Sequence, residues 1–600
     1  MIFIATVPPP RTVRISDAKC RRRGQKRLYN RPMDPTDALE KARGLLRQDQ
    51  AGQAYALLKP ALARDPQNIG LRLLLAEALN ELGRPAEATA AYRAVLAIDP
   101  RNDVATARVQ EAVLATETLL RLAFTADEMR AYDEARDNYE AVLYNDPHSI
   151  LALTKLLTLD GIEGRLADAE RHHAMLTSAL DAVDVMTIHR NNLAMVAYHA
   201  IMRPLPPATL RAVVDALGRQ TLGQAERFGA LPAPAPKARG RVRLGYLSAF
   251  LRDHPIGHVT AALFGAHDRT KFEVHVFYVP SGDANPYTDR IKAGAEHFHT
   301  ASDEDGILRL IARANLDILI YLDGYMSTYL LPVIARRPAP LQIYWLGHAG
   351  CCEIPGVDYF LVDEIVVPPG EEGLYRAPPV RLPAPYHPAS PHEMGPDISR
   401  AEAGLPEEGF VFCAFNNPEK IDTPTFELWM RILKRVPGSL LWLSRTHSAA
   451  IADNLRAEAH ARGIEASRLI FAARVADKRT HFARHRHAGL FLDTLSLNAS
   501  TTALDALWAG LPLLTATGRR FGARIATTFL KSLDLPELIA TTAAEFEERA
   551  VHLATDAKAL SVVRERLASR RTTSPLFQIE SFCRKLETAL LALHATHKRT

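Results

Sequence analysis

The stretch AGLFLDTLSLNASTTALDALWAGLPLLTAT (residues 488–517) decides the fold of the second half of this chain. It opens with a short apolar run of a length typical of a buried strand. Leu504, Leu507 and Trp508 then recur at helical spacing until a glycine and a proline end the helix, and a second apolar run follows at once. The pattern predicts a strand–helix–strand unit, whose first loop lies at the carboxyl edge of a parallel sheet, where open α/β sheets bind ligands.

Hydroxyl side chains crowd the start of this helix. Ser500, Thr501 and Thr502 would lie beside backbone N–H groups of the first turn, which have no partner within the helix and are suited to bind phosphate. The alternative is a capping box made by Thr502 and Asp505, and capped helices are much commoner than phosphate sites. The residues alone leave both interpretations open.

Further apolar runs before this unit alternate with helical patterns. They fall into two groups separated by a proline-rich stretch near 377–390, which predicts two parallel-sheet domains, 241–390 and 391–590, with a tail at 591–600. A cleft between two such domains is suited to a nucleotide-bearing ligand. The runs are RVRLGYLS, KFEVHVFYV, LDILIYLDG and LQIYWLG, then GFVFCAFNN, SLLWLSR, RLIFAAR, AGLFLDTL and LPLLTAT.

The first third of the chain is helical and repetitive. Asp-Pro pairs begin at residues 65 and 99, a spacing of 34 residues that is typical of tetratricopeptide repeats, and 83–100 returns as a similar stretch at 130–147. Small residues occupy the matching helix-contact position in each repeat: Ala54, Ala88 and Ala135. We therefore predict a repeat solenoid over 33–200 whose groove binds a protein, with a purely structural role as the alternative.

Charge and composition limit the other possibilities. Residues 1–33 hold nine Lys/Arg and one Asp, so the rest of the chain carries −3 out of a total of +5 and is no obvious nucleic-acid binder. We expect 1–32 to be a basic disordered arm and 201–240 to be a Pro-rich linker. No apolar run approaches a membrane span, and five cysteines without metal-ligand spacing indicate a reducing, cytoplasmic setting.

Several motifs together resemble one family, the O-linked N-acetylglucosamine transferases and SPINDLY proteins of glycosyltransferase family 41. The motifs are RVRLGYLSAFLRDHPIGH, RRPAPLQIYWLGHAG, FCAFNNPEKID, LWLSR, DTLSLNASTTALDALWAGLP and TSPLFQ. Their order and their attachment to repeats make the resemblance specific over almost all of 241–590. It implies a tetratricopeptide-repeat solenoid followed by a GT-B fold, with two Rossmann-like domains facing across a cleft. It also implies an inverting, metal-independent protein O-glycosyltransferase that uses a nucleotide-sugar donor, most often a UDP-sugar, and no cofactor.

The resemblance also assigns roles to single residues. Lys420 matches the family's catalytic lysine, Asn417 a neighbouring phosphate-contacting amide, and Thr501 and Thr502 its phosphate-binding pair. His254 matches the histidine that lines the acceptor side, where a phosphate oxygen of the donor is the alternative base, and His297 lies in a segment like that of a second active-site histidine. The positions that match nucleoside-binding residues are Ala476, Lys478, His481 and Asp505.

Departures from the family pattern cluster on the sugar side. Ser500 replaces the sugar-contacting histidine, the bulky Leu497 stands nearby, and GHAGCC (347–352) replaces a Gly-Tyr-Pro-Gly-Thr-like turn. We therefore expect a donor sugar other than N-acetylglucosamine. The alternatives are an enzyme that transfers fucose or a nonulosonic acid to flagellin or an adhesin, a catalytically weak binding scaffold, and a GT-B enzyme acting on a small molecule or glycan.

Overall fold

A computed structural model of the chain describes residues 34–233, 240–280, 285–350, 353–444, 448–473, 475 and 477–597. The predicted basic arm at 1–32 lies outside these residues. Contacts divide the chain into two compact units, residues 1–117 and 118–600. None of the helices in the described part of the chain is long and apolar enough to cross a membrane.

The first unit consists of helices that pack in consecutive pairs. Small side chains allow the close contacts, because Ala54 and Ala88 are fully buried between helices. The helices are α1 (Pro35–Leu46), α2 (Ala51–Arg64), α3 (Ile69–Glu81), α4 (Pro85–Ile98) and α5 (Asp103–Glu128), of which α5 continues into the second unit. Helix α5 has 26 residues against 12–14 in the other four, so the stretch 130–147 follows its counterpart 83–100 by more than 34 residues because this helix is extended.

The second unit begins with five more helices: α6 (Tyr132–Asn145), α7 (Ile150–Glu163), α8 (Leu166–Ala182), α9 (Arg190–Met202) and α10 (Pro207–Ala225). Helix α10 lies inside the stretch 201–240 that the sequence analysis assigns to a linker. Pro207 occupies the first turn of this helix, where a missing N–H costs no hydrogen bond, so this proline starts a helix instead of preventing one.

Two parallel sheets form the rest of the second unit. The first contains β1 (Val242–Ser248), β2 (Phe272–Tyr278), β3 (His297–Thr300), β4 (Ile318–Tyr321), β5 (Leu341–Tyr344), β6 (Tyr359–Val362) and β7 (Pro379–Arg381), in the order β3-β2-β1-β4-β5-β6-β7. The second contains β8 (Val411–Ala414), β9 (Leu440–Ser444), β10 (Leu469–Ala472), β11 (Leu490–Leu492), β12 (Leu513–Ala516) and β13 (Ile539–Ala540), in the order β10-β9-β8-β11-β12-β13. Both orders reverse beside the first strand, which is the Rossmann arrangement and places a binding crevice at that point.

Helices cover both sheets. Those that follow strands of the first sheet are α11 (Pro255–Thr260), α12 (Leu263–Ala266), α13 (Pro286–Gly294), α14 (Glu304–Ala314) and α15 (Leu331–Ala335). Those of the second are α16 (Thr423–Arg435), α17 (Ala450–Ala461), α18 (Lys478–Arg484), α19 (Thr501–Trp508), α20 (Ile525–Ser532), α21 (Ala543–Thr555) and α22 (Ala557–Thr573).

The last helix, α23 (Ile579–His597), returns to the first sheet domain. Phe582 stacks on Trp345 with ring centroids 5.8 Å apart, and the Glu587 carboxylate accepts the Asp268 N–H at 2.8 Å. This segment is predicted to belong to the second sheet domain, with a tail from 591. The structure differs, because the helix runs to His597 and covers the first domain.

Candidate active site

The site is built at the carboxyl edge of the second sheet. Asn416 follows β8 and Asp493 follows β11, and neighbouring parallel strands bring their ends together. The Asn416 amide donates to Asp493 Oδ1 at 3.3 Å and its side-chain oxygen accepts the Thr502 hydroxyl at 2.8 Å. This amide therefore connects the strand ends to the start of α19.

Asp493 organises the loop before α19. Its fully buried carboxylate accepts the backbone N–H groups of Thr494 and Ala499 and the hydroxyl of Thr515, at 2.7–2.8 Å. Burial raises the pKa of this carboxyl to about 6, against the lowering effect of these hydrogen bonds and of Lys420. The network fixes the path of the chain into the helix and places negative charge behind Lys420.

Lys420 ends a tight turn, Pro418–Lys420, directly after β8. Its ammonium donates to the Asn498 carbonyl at 2.9 Å, which holds the side chain beside the loop that starts α19. Burial lowers the pKa of Lys420 to about 8, opposed by Asp493 and Glu419. The side chain is therefore mostly charged at pH 7, and it is poorly solvated, so it would attract an anion strongly.

Helix α19 begins at Thr501 without a capping box. Ser500 occupies the N-cap position and makes no side-chain hydrogen bond to the helix; its hydroxyl instead lies 3.2 Å from His387 Nε2. Thr502 donates to Asn416, and Asp505 forms an ion pair with Lys478 at 3.2 Å. The capping interpretation is therefore wrong for Thr502 and Asp505, because both side chains have other partners.

A cleft of about 1030 Å³ lies between the two sheet domains. Five of the residues predicted to bind nucleotide sugar line it: Lys478, His481, Thr501, Thr502 and Asp505. The opposite wall comes from the first domain, where His258 Nδ1 lies 3.2 Å from Lys478 Nζ. Lys478 thus contacts Asp505 within its own domain and His258 across the cleft.

The histidines of the cleft are neutral at physiological pH. Burial and the charge of Lys478 lower the pKa of His258 to about 4, and its Nε2 lies 2.7 Å from Asp253 Oδ1. Burial, followed by His485 and Arg484, lowers the pKa of His481 far below its usual value, and Arg484 donates to its Nδ1 at 2.5 Å. Neutral aromatic rings are suited to stack on a nucleobase. Ala476, predicted to read the base, lies outside the described residues.

His254 caps helix α11 and lies between Asp253 and Pro255, which line the cleft. Its Nδ1 accepts the Ile256 N–H at 3.2 Å, and its ring stacks on Phe250 with centroids 4.3 Å apart. Burial, followed by the charge of Arg252, lowers the pKa of His254 to about 4. Since Nδ1 accepts, the proton of the neutral ring is on Nε2, which makes this nitrogen a hydrogen-bond donor.

Three further predicted residues lie at defined places in the structure. His297 begins β3, an edge strand, and pairs with Glu273 at 3.2 Å; it is not among the described residues that line the cleft. Leu497 is buried, and its Cδ1 would lie 2.9 Å from a Cβ placed on Gly522. Asn417 is exposed and hydrogen-bonds to Glu419, and the neighbouring Asn416 makes the buried contact to α19.

Sequence reasoning missed other members of the site. His387 follows β7 in the proline-rich stretch, and its imidazole lies against Ser500, where the family's histidine is absent. His258 belongs to the quoted HPIGH motif, and Asn416 and Asp493 follow strands that were predicted. A polar residue directly after a buried strand was the available signal for the last two.

Two Rossmann sheets that face each other across a nucleotide-sized cleft define a GT-B fold. The profile of glycosyl transferase family 41 matches residues 185–376 and 390–586, and a tetratricopeptide-repeat profile matches 45–111. The chain belongs to glycosyltransferase family 41. A solved Thermobaculum terrenum O-GlcNAc transferase variant shares the fold, with a TM-score of 0.59, 24% identity and coverage of 94% of this chain and 98% of its own.

Two relatives are described as UDP-N-acetylglucosamine–peptide N-acetylglucosaminyltransferases. The probable enzyme SEC of Arabidopsis thaliana is 32% identical over 418 residues, which cover 67% of this chain and 43% of that protein. The Caenorhabditis elegans enzyme is 26% identical over 543 residues, which cover 71% of this chain and 45% of that protein. The chain therefore spans less than half the length of these relatives.

Proposed function

We propose that this chain is an inverting protein O-glycosyltransferase that moves a sugar from a nucleotide diphosphate donor to Ser or Thr side chains. The observation that carries the proposal is the position of Lys420, whose ammonium contacts the Asn498 carbonyl just before the uncapped start of α19. Glycosyl transfer releases a diphosphate, and its developing charge needs preorganised donors. Lys420 and the first N–H groups of α19 supply such donors without a metal ion.

The donor's nucleoside would occupy the cleft beside α18. Asp505 can accept hydrogen bonds from ribose hydroxyls, Lys478 can reach the ribose, and the neutral ring of His481 can stack on the base. These three side chains line the same cleft as Thr501 and Thr502, which would hold the phosphates. Ribose and phosphate contacts would thus come from one continuous wall of the second domain.

The tautomer of His254 helps to identify which group acts as the base that activates the acceptor hydroxyl. A ring that holds its proton on Nε2, and whose pKa is about 4, is a poor proton acceptor at pH 7. We infer that His254 donates a hydrogen bond to donor or acceptor and that the proton of the acceptor hydroxyl passes to a phosphate oxygen. His254 is then a positioning residue.

The acceptor is proposed to be a protein held by the repeats in the cytoplasm. Repeat helices of the second unit support the catalytic turn directly, because the Tyr198 hydroxyl donates to Glu419 Oε2 at 3.3 Å, one residue before Lys420. An acceptor bound on these helices would enter near the reacting groups. No described contact favours flagellin over another protein.

A donor other than UDP-N-acetylglucosamine is a second candidate, favoured by the pair Ser500–His387. With His387 Nδ1 3.0 Å from the Pro388 carbonyl, its Nε2 can accept the Ser500 hydroxyl at 3.2 Å. Both polar groups then satisfy each other, and fewer donors remain for an N-acetyl group. An unpaired buried polar group costs about 1–3 kcal/mol, which would change donor preference roughly tenfold or more.

A donor screen tests the proposal. Purified chain is incubated with UDP-N-acetylglucosamine, GDP-fucose or a CMP-linked nonulosonic acid, and nucleotide release is measured with and without candidate acceptor proteins. The intact masses of acceptor proteins co-expressed with the chain are also recorded. We expect release of a nucleoside diphosphate, and a mass gain on the acceptor equal to the sugar. Release of CMP alone would contradict the role of the diphosphate site, and no release from any donor would favour the binding scaffold.

A further inference from the structure

Four side chains of types that can bind metals share one face of the first sheet, and none of them lines the donor cleft. Glu273 and His275 alternate on β2, His297 and His299 alternate on β3, and the register pairs His275 with His297. Alternate residues of a strand point to the same side, so the pairing brings all four together at the sheet edge. Donor transfer as proposed above uses none of these residues.

The distances among three of these groups match a metal coordination sphere. His275 Nε2 and His297 Nε2 each lie 3.2 Å from Glu273 Oε1, and the three ligand atoms lie within 4.8 Å of one another. Tetrahedral zinc with bonds of about 2.0–2.1 Å separates its ligand atoms by about 3.3 Å. One nitrogen from each ring and one carboxylate oxygen thus converge at the required spacing.

Neighbouring groups hold these ligands in place. His299 Nε2 lies 3.2 Å from His275 Nδ1, so it can fix the ring orientation of His275. The second carboxylate oxygen of Glu273 accepts from Arg243 Nε at 3.3 Å, which leaves Oε1 directed at the two imidazoles. Such outer contacts orient metal ligands and fix histidine tautomers in known sites.

Nearby arginine charge does not prevent cation binding. Arg241 is the second arginine close to Glu273 Oε2, at 3.8 Å, and it also donates to Glu296 at 2.9 Å. Both arginines contact the oxygen that faces away from the imidazoles, and Glu296 adds a further negative charge.

We propose that Glu273, His275 and His297 form a surface site for a divalent transition-metal ion, with zinc as the best fit. Side-chain exposures of 15% for Glu273, 7% for His275 and 42% for His297 describe a site closed on one side and open on the other. Water can complete four-coordination on the open side. Imidazole and carboxylate ligands of this number suit zinc, cobalt and nickel better than magnesium or calcium.

A second cluster of possible ligands is less suited to a metal. His267, Cys583 and Glu587 are fully buried, but His267 Nε2 lies 2.8 Å from the Tyr246 hydroxyl, and Glu587 accepts an N–H of the backbone. These groups already satisfy one another. Cys583 nevertheless provides a control, since cobalt bound there would show a sulfur-to-metal charge-transfer band.

The test is titration of the full chain, stripped with a chelator and dialysed, with Co²⁺ followed in the visible range and Zn²⁺ followed by calorimetry. We expect one equivalent to bind, with a tetrahedral cobalt spectrum that lacks a sulfur band. His297→Ala and Glu273→Gln should each weaken binding by more than about tenfold, as even the loss of an outer partner of a ligand costs 10–100-fold.

His460→Ala, which removes an exposed histidine of another helix, is the matched control and should bind as the unaltered chain does. Unchanged binding in both His297→Ala and Glu273→Gln would overturn the proposal, as would no binding by the unaltered chain. A sulfur band that disappears in Cys583→Ser would place the metal at the buried cluster and overturn it equally. Melting temperatures of all variants without metal identify any that do not fold.

Discussion

Replacing Lys420 by methionine separates its charge from its volume. Methionine is similar in length and apolar, so the turn Pro418–Lys420 should persist while the ammonium is lost. In the unaltered chain one N–H of this ammonium goes to the Asn498 carbonyl, at 2.9 Å, and an ammonium has three donors. The others make no hydrogen bond to a residue in the described ranges and remain for the leaving diphosphate.

The expected loss of activity follows from the number of donors on the Lys420 ammonium and from the burial of this group. Removing one preorganised donor at a developing oxyanion costs about 10²–10³ in kcat, or roughly 2.7–4 kcal/mol. A desolvated cation acting on a dianionic leaving group should lie at the upper end of this range. We therefore expect Lys420→Met to lower kcat by about 10³.

The pH dependence supplies an independent check on the same side chain. Lys420 is charged below its pKa of about 8 and neutral above it, so kcat/KM should fall about tenfold per pH unit above pH 8. A bound diphosphate favours the charged form, so the decline of kcat itself should begin at higher pH. The residual activity of Lys420→Met should lack this decline.

The assay is steady-state release of nucleotide between pH 6 and about 10, with melting temperature as the measure of folding. Lys531→Met, which removes an exposed lysine at the end of α20, should leave both rate and pH profile unchanged. Turnover of a folded Lys420→Met variant within a few-fold of the unaltered chain would refute the assigned role. An alkaline decline that persists in this variant would show that another group titrates.

Three further variants test other contacts. In Gly161→Ala the new Cβ would lie 2.7 Å from Glu419 Cγ and 3.0 Å from Glu419 Cα. We therefore expect the catalytic turn to shift and kcat to fall about 10–100-fold in the same assay. Gly52→Ala, whose new Cβ would have nothing within 4 Å, is the control and should be neutral. Asp505→Asn removes the carboxylate proposed to bind ribose and to pair with Lys478, so calorimetry should show nucleoside diphosphate binding weakened about tenfold or more; unchanged affinity would contradict that role. Arg136→Met removes the cation shared by the buried carboxylates of Asp160 and Glu163, although Glu163 keeps Arg165 at 2.9 Å. It should lower the free energy of unfolding by about 3 kcal/mol in urea, against less than about 0.5 kcal/mol for exposed Arg108→Met.

The apolar runs predicted nine strands and the fold class, and the structure confirms the fold. Of the four strands they did not predict, β6 (Tyr359–Val362) is apolar and lies between two neighbours, whereas the other three are short and carry weak signals. Strand β3 (His297–Thr300) is polar and only partly buried, β7 begins with Pro379, and β13 has two residues. Such edge strands are held by one neighbour, so their sequences need little of the apolar pattern that marks a central strand.

The site was predictable where a local stretch of sequence carries the chemistry. It was not predictable where residues far apart in the chain come into contact. The placement of Lys420 beside the loop that starts α19 could be expected from strands β8 and β11 and the loops that follow them. The contact between His258 and Lys478 joins residues 220 positions apart, and no periodicity encodes it. Asn416, next to the predicted Asn417, makes the buried contact to Thr502, because adjacent side chains at a strand end point in opposite directions.

The return of α23 to the first sheet has a consequence for the order in which the chain can fold during synthesis. The strands of that sheet end at Arg381, yet Trp345 meets its stacking partner only when Phe582 has been made, about 200 residues later. At ribosomal speeds of roughly 5–20 residues per second this delay is about 10–40 s. The apolar surface that α23 covers stays open throughout, so a chain stalled or truncated shortly before residue 579 should be a preferred substrate for chaperones and proteases.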